Sequence, residues 1–179
     1  LARRFGASFE QICHRLTTLQ RPGSRGVPFF FLRIDRASNV SKRFSSGGFH
    51  FARFGGTCPR WNVHEAFRTP GKMVTQVVEM EDSTIYFSIS RTVAGSGGGF
   101  HLPEQQLAIG MGCEIKHARR LVYADGLDLG DRANVTPIGV NCRLCERVDC
   151  HQRAYPPLNR RISVNDTYRG FVPFSFAEL

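Results

Sequence analysis

Three cysteines in the C-terminal part of the chain carry the clearest chemistry in the sequence. Cys142, Cys145 and Cys150 lie within nine residues in the pattern C-x₂-C-x₄-C. Two thiolates three residues apart can hold one metal atom or two corners of a cluster, and the third arrives after a short loop. Such a loop has little room for a core of its own, so a metal would stabilise it. The spacing therefore predicts a cysteine-held metal centre.

The fourth ligand must come from elsewhere, because zinc and a 4Fe–4S cluster each take four soft ligands. Cys113 is the first candidate, since it lies where a predicted strand meets a predicted helix and backbone N–H groups there favour a thiolate. Cys58 is the second, because a proline follows it as in ferredoxin-type ligand runs. His151 is a substitute ligand, and Cys13 reads as a buried structural thiol. On spacing alone iron–sulfur and zinc are equally favoured, and a zinc-stabilised interaction module is an open alternative.

Basic and aromatic side chains on the predicted strands are candidate ligand contacts. The formal net charge is +9, with lysine and arginine scattered along the chain, which favours phosphorylated metabolites over direct DNA contact by this segment. An arginine in a pocket can hold phosphate by a bidentate bond, and aromatic rings can line an apolar pocket, although solvated surface and core packing are the default roles. The candidates are Arg33, Lys42, Arg43 and Arg91 among the cations, and Phe49, Phe51 and Trp61 among the aromatics.

No set of residues predicts catalysis. The run from His64 to Arg68 begins like H-E-x-x-H but has arginine in place of the second histidine. The glycine-rich run over 94–99 lacks the Lys-Ser/Thr of a phosphate-binding P-loop. An iron–sulfur enzyme acting on a thioester would need a base or a nucleophile, and none stands at a readable spacing. We therefore expect a protein that is not an enzyme.

The elements that must position these residues alternate between helical and strand patterns. Apolar spacing predicts helices over 3–20, where Ser8 caps the second half, and over 61–67 and 114–123. Strands are predicted over 27–35, 40–45, 49–53, 74–80, 84–93 and 100–112, with a junction at 21–26. This order predicts an α+β domain in which helices flank an antiparallel sheet, as in PAS-like or GAF-like sensors, with an irregular cysteine-rich tail. No apolar run is long enough for a membrane span, and the first residues read as the interior of a longer protein.

Several motifs together resemble the C-terminal domain of the short-chain fatty acyl-CoA regulators. The most specific runs from Pro137 to Arg147 and continues through Cys150 to Leu158. Supporting matches lie at 33–43, 56–62, 110–113 and 123–126, so the resemblance covers the chain from residue 27 onward. Residues 1–22 resemble the end of the IrrE-like domain that lies, in this family, between an XRE-type helix-turn-helix and the C-terminal domain. The chain looks most like the actinobacterial branch that regulates propionate catabolism.

The resemblance implies a cytoplasmic transcription regulator, an activator, that binds DNA through a part absent from this chain. It implies that residues 27–179 bind coenzyme A or a short acyl-CoA such as propionyl-CoA and control propionate and methylcitrate genes, with residues 1–26 ending the preceding domain. Separately from the resemblance, we expect ligand binding to act on the absent DNA-binding part across a homodimer. It also implies a 4Fe–4S cluster rather than zinc, on Cys142, Cys145 and Cys150 with Cys113 as the fourth ligand. A redox sensor without a small-molecule ligand is the remaining alternative.

Overall fold

A six-stranded sheet organises the chain in a computed structural model that describes residues 1–95, 99–101, 105–167 and 169–177. The strand order is β2-β1-β5-β4-β3-β6, and every neighbouring pair is antiparallel except β3 and β6. The strands are β1 Phe30–Asp35, β2 Val40–Ser45, β3 Val74–Glu79, β4 Ile85–Ala94, β5 Gln106–Glu114 and β6 Val135–Pro137, and a separate pair is β7 Ile162–Ser163 with β8 Ser175–Phe176. The predicted α+β class with a mostly antiparallel sheet is confirmed.

The helices are shorter than the apolar periodicity predicted. They are α1 Ala2–Phe5, α2 Phe9–Thr17 and α3 Asn62–Glu65, with 3₁₀ turns at Ile115–Arg120, Val122–Ala124 and Arg132–Asn134. The single helix predicted over 3–20 is wrong, because Gly6 adopts a left-handed φ of 59° and ends α1. Ser8 then caps α2 as predicted, by accepting the Gln11 N–H at 3.1 Å. No helix in the described parts of the chain is long and apolar enough to cross a bilayer.

The segment between β2 and α3 does not form the predicted third strand. The prediction over 49–53 is wrong because these residues turn away from the sheet edge, with Gly48 at a φ of 78°, and lay their rings over the sheet face. The ring of Phe49 lies 4.1 Å from that of Phe30 on β1. Short β6 was missed, and the strand predicted over 100–112 begins at Gln106. The glycine-rich run at 96–98 and residues 102–104 lie outside the described residues.

The sheet is covered on both faces, so successive residues of a strand enter different cores. Phe30, Leu32 and Ile34 of β1 face the side that carries α3, called here the α3 face. Phe31 of β1 and Cys113 of β5 face the opposite side, the α2 face, where Cys13 of α2 is also buried. Helix α2 thus packs on the sheet, while the domain boundary expected near residue 26 stays a prediction.

A buried polar network fixes α3 and the residues before it to the sheet. The Trp61 Nε1–H donates to Ser88 Oγ at 3.0 Å, and the hydroxyls of Ser88 and Ser90 both donate to Asn62 Oδ1 at 3.0 Å. The Asn62 amide nitrogen donates in turn to the carbonyls of Val74 and Ser88. Every hydrogen-bonding group of the Asn62 amide is therefore engaged with the sheet, which makes the position of 61–65 specific.

Glycines on β5 make room for the aromatic core of the α3 face. A Cβ added at Gly112 would lie 2.5 Å from Phe30 Cζ and would also overlap the Phe87 carbonyl oxygen. We expect Gly112→Ala to lower the free energy of unfolding by about 1–3 kcal/mol, because the added methyl overpacks a closed core. Urea denaturation measures this, with Gly130→Ala as the control because its Cβ meets nothing closer than 3.4 Å. Equal stability of both variants would contradict the packing argument.

Candidate ligand cleft and metal centre

Cys58, rather than Cys113, approaches the cysteine loop, defined here as residues 141–154. Burial raises the pKa of the Cys58 thiol, and the neighbouring Cys142 and Cys145 thiols raise that pKa further. All three side chains are buried, whereas Cys150 is partly exposed in the same loop. Cys58 is held there because it directly precedes the segment that the Trp61–Asn62–Ser88 network anchors, and the Trp61 N–H donates to the Cys58 carbonyl at 3.1 Å.

Backbone N–H groups lie near the sulfur atoms of these three cysteines. The Ala154 N–H donates to Cys142 Sγ at 3.4 Å. The N–H groups of Gly139 and Arg60 act to lower the pKa of Cys58, and that of Arg147 acts to lower the pKa of Cys145, while burial raises both pKa values overall. Hydrogen bonds from backbone N–H groups stabilise a thiolate, which is the form that binds a metal. The donor set therefore fits a thiolate-held metal group.

Among the residues that the structure describes, no three Cys, His, Asp or Glu side chains converge on a point where one metal ion would sit. Zinc and a 4Fe–4S cluster would each take four soft ligands, so both stay open as the metal group.

Cys113 lies in the core of the α2 face and is not brought to the loop. It pairs with Phe87 in the sheet, and burial raises its pKa to about 12, with Glu114 adding to the effect. Cys113 lies next to a strand-to-helix junction as predicted, since β5 ends at Glu114 and a 3₁₀ turn begins at Ile115, but strand alternation turns the thiol away from the α3 face. His151, the substitute ligand, is exposed beside the Phe171 ring.

A basic cleft of about 690 Å³ opens beside the cysteine loop. It lies between the β1–β2 turn, the segment 53–59 and the cysteine loop, and no acidic side chain lines it in the described residues. Its polar lining residues include the arginines Arg36, Arg43, Arg53 and Arg143, with Asn39, Thr57, His64 and Asn141. Four arginines without a carboxylate among these lining residues give the cleft a positive charge, which is the kind of surface that attracts anions.

One wall of this cleft forms where the β1–β2 turn and the segment 53–59 approach each other closely. Ser38, in a left-handed conformation with φ 71°, accepts the Thr57 N–H on its hydroxyl at 3.1 Å. A Cβ on Gly56 would lie 2.6 Å from that hydroxyl, so only glycine fits. His64 shares a hydrogen bond of 2.8 Å with Thr57, and burial lowers its pKa, so the imidazole is neutral at pH 7.

An aromatic pocket adjoins the cleft and shares Val40 and Thr57 with it. The predicted aromatics Phe49, Phe51 and Trp61 meet there, with the Phe49 and Trp61 rings stacked at 5.3 Å. The enclosed space is only about 10 Å³, so the rings nearly fill it. Any guest would have to be small and would have to displace side chains.

The predicted cations divide between the two faces of the sheet. Arg43 lines the cleft, where its guanidinium donates to the carbonyls of Ala52 and Arg53. The other three are not in the cleft, because they lie beneath α2. Arg33 and Lys42 bind Glu10 at 2.9 Å and 2.7 Å, and Arg91 stacks over the Phe9 ring.

Of the polar cleft residues, the sequence reasoning named only Arg43 as a ligand contact, although several of the others stand in or near a motif that had been singled out. Arg36 belongs to the run 33–43, Asn141 and Arg143 belong to the cysteine run, and Arg53 ends the segment mistaken for a strand.

Comparisons with known proteins agree with the sequence resemblance. The family model described as "Short-chain fatty acyl coenzyme A regulator, C-terminal" matches residues 18–174. The chain is 52% identical over 178 residues to the "Propionyl-CoA carboxylase regulator" of Cereibacter sphaeroides. It is 47% identical over 178 residues to the "HTH-type transcriptional regulator PrpR" of Mycobacterium tuberculosis.

The matched length limits what these relatives say about the chain. The two curated relatives cover 99% of this chain, which spans only 38% and 37% of their respective lengths. A solved structure titled "Mycobacterium tuberculosis transcriptional regulator" is similar with a TM-score of 0.90 and 47% identity, covering 97% of this chain and 53% of that one.

Thiol reactivity tests the placement of the cysteines. At pH 8, a thiol with a pKa of about 12, the value for both Cys13 and Cys113, is about one part in 10,000 thiolate. We expect these two cysteines of metal-free protein to react slowest with iodoacetamide, and the partly exposed Cys150 to react first. Peptide mass spectrometry over a time course gives the order. Rapid alkylation of Cys113 in folded protein would place it elsewhere than in the α2-face core.

Proposed function

Since this chain belongs to the short-chain fatty acyl coenzyme A regulator family, we propose that it is the effector-sensing domain of a transcription regulator of short-chain acyl-CoA metabolism. Its effector is coenzyme A or a short acyl-CoA such as propionyl-CoA. DNA binding belongs to a part of the regulator outside this chain, in keeping with the helix-turn-helix named in the description of the PrpR relative. The sheet acts as a PAS-like or GAF-like scaffold within a cytoplasmic homodimer.

The observation that carries this proposal is the basic cleft next to the aromatic pocket. Coenzyme A carries phosphate groups at one end and a thiol or thioester at the other. The guanidinium groups of Arg36, Arg43, Arg53 and Arg143 offer charge-assisted hydrogen bonds to the phosphates. The pantetheine arm then runs towards Thr57 and Val40, where the cleft meets the aromatic rings.

The size of the aromatic pocket favours a short acyl chain. Phe49 contacts Trp61 and Phe51 closely, and the space between them is about the size of one water molecule. A two- or three-carbon acyl group needs only small side-chain movements, whereas a long chain would have to break the aromatic cluster. Displacing these rings is also how occupancy would be sensed, because it changes the packing of the α3 face.

The proposed metal group is a 4Fe–4S cluster held by Cys58, Cys142, Cys145 and Cys150. When bound, such a cluster supplies a redox-sensitive cross-link between the cysteine loop and the segment before α3. The backbone N–H groups near Cys58, Cys142 and Cys145 support this assignment, because they would stabilise the thiolate form once a metal group binds. Cys142 also lines the cleft, so ligand and metal centre share a wall.

Binding of the effector to the arginine cleft is tested by calorimetry on the intact regulator with propionyl-CoA. We expect Arg53→Ala and Arg143→Ala each to weaken binding about 10-fold to 100-fold, since each removes charge-assisted hydrogen bonds to phosphate. Arg119→Ala is the matched control, because that side chain is exposed and outside the cleft. No heat and no thermal shift with millimolar ligand would refute the effector assignment.

Replacing single cysteines identifies the fourth metal ligand. Anaerobically purified Cys58→Ala protein is expected to lose the broad visible absorption of an iron–sulfur protein and most of its iron, while Cys113→Ala keeps about four irons per chain. Iron, acid-labile sulfide and zinc are measured on both variants and on wild type. The opposite result would restore Cys113 as the ligand, and colourless wild-type protein with one zinc per chain would replace the cluster with a structural zinc site.

A further inference from the structure

We propose that Arg153 is the positioning residue and internal counter-charge of the cysteine loop, an inference that rests on the metal centre of the proposed function. Its side chain is 4% exposed, which is unusual for arginine. It was not among the residues predicted to act at the site. Its contacts show why an arginine occupies the interior of so small a loop.

The guanidinium of Arg153 holds the carbonyls of two cysteines at once. Nη1 donates to the Cys142 carbonyl at 2.7 Å, and Nη2 donates to the Cys145 carbonyl at 3.1 Å and to the Arg147 carbonyl. The planar fork of arginine can bridge these carbonyls in one geometry, whereas the ammonium of lysine cannot. The side chain therefore sets the relative position of the first two cysteines.

The backbone of the same residue reaches the third cysteine. The Arg153 N–H donates to the Cys150 carbonyl at 3.2 Å, and the next N–H, that of Ala154, donates to Cys142 Sγ. Arg153 thus joins the turn after Cys150 to the turn that holds Cys142 and Cys145. All three cysteines of the loop are positioned by contacts to this one residue or its immediate neighbour.

One peptide plane shows how firmly the loop is oriented. The peptide between Cys145 and Glu146 offers its carbonyl to Arg153, while its N–H donates to Glu81 Oε1 at 2.9 Å. Because a peptide is planar, contacts at both ends fix its rotation. Glu81 belongs to the β3–β4 turn, so this plane also ties the loop to the sheet.

The buried positive charge of Arg153 would be stabilised by a negative charge inside the cysteine loop. None of the ion pairs in the described parts of the chain includes Arg153, and its guanidinium lies 5.6 Å from the centre of the Phe176 ring. Burying a charge is costly unless an opposite charge accompanies it. Four thiolates around a 4Fe–4S core or a zinc ion leave a net negative charge of about two. The metal group and the buried guanidinium therefore neutralise each other in part.

The test compares Arg153→Lys and Arg153→Gln in the intact, anaerobically purified regulator, with Arg161→Gln as an exposed control that loses the same charge. The readouts are metal release to a chelator, the reduction potential of the bound cluster, and far-UV circular dichroism. Loss of an outer partner typically weakens metal retention about 10-fold to 100-fold. We expect release about 10-fold faster in Arg153→Lys with a potential near that of wild type. Arg153→Gln should release metal faster still, and any cluster it retains should have a lower potential, because a positive charge that favours the reduced form is gone.

Distinct outcomes separate this inference from the proposed function. Wild-type release rates and potential in a folded Arg153→Gln protein, or equal acceleration in Arg161→Gln, would overturn the role of Arg153. If Arg153→Gln does not fold, the test rests on Arg153→Lys. A wild-type rate of metal release from the Arg153→Lys protein would likewise overturn the role of Arg153. Zinc in the wild-type protein would overturn only the iron–sulfur assignment, and the same release assay would then be read with zinc. Wild-type protein that holds no metal would overturn the proposed metal centre together with the role of Arg153, and would leave the effector assignment to the calorimetry.

Discussion

The hydrogen-bond network of Trp61, Asn62 and Ser88 is the constraint on which both parts of the site depend. It fixes a segment without regular strand pairing to the centre of the sheet, through side chains buried on the α3 face. Just before that segment stand Cys58, which reaches the cysteine loop, and Thr57, which lines the cleft. Because buried polar groups are costly when unpaired, this network admits few alternative positions for the segment. The aromatic pocket, the cleft and the contact between Cys58 and the cysteine loop therefore all depend on this network.

Electrostatics distinguishes the two halves of the site. The cleft presents four arginines and no acid among its described lining residues, so its positive charge would favour the polyanionic effector that we propose. The cysteine loop holds its cation, Arg153, in the interior, where several carbonyls receive its hydrogen bonds. Solvent-facing arginines are suited to a ligand that binds reversibly, whereas a buried arginine is suited to a metal group that stays bound.

Much of the fold could be predicted from the sequence because strand periodicity and turn residues are local signals. The strands at 40–45, 74–80 and 84–93 are confirmed almost to the residue, and so is the Ser8 cap. The segment 49–53 was mistaken for a strand because its alternating phenylalanines bury their rings without pairing their backbone. Arg33 and Arg43 both lie in a strand pattern, but only the fold decides which of them faces the cleft. Local sequence could not decide whether Cys58 or Cys113 is the better candidate for the fourth metal ligand, because the choice depends on which face of the sheet each thiol lies on.

Because the cleft and the cysteine loop share a wall, ligand binding in the cleft would affect the proposed metal centre, and metal binding would affect the cleft. Asn141 is buried, its amide nitrogen donates to the Phe54 carbonyl beside the cleft, and its amide oxygen accepts the Leu144 N–H of the loop. A ligand that moves Phe54 must therefore also move the turn between Cys142 and Cys145, or break one of these two hydrogen bonds. Thermodynamic linkage makes any such coupling reciprocal, so a metal group that orders this turn would also favour one shape of the cleft. Sensing then needs no long pathway through the domain, because the two sites meet at one side chain.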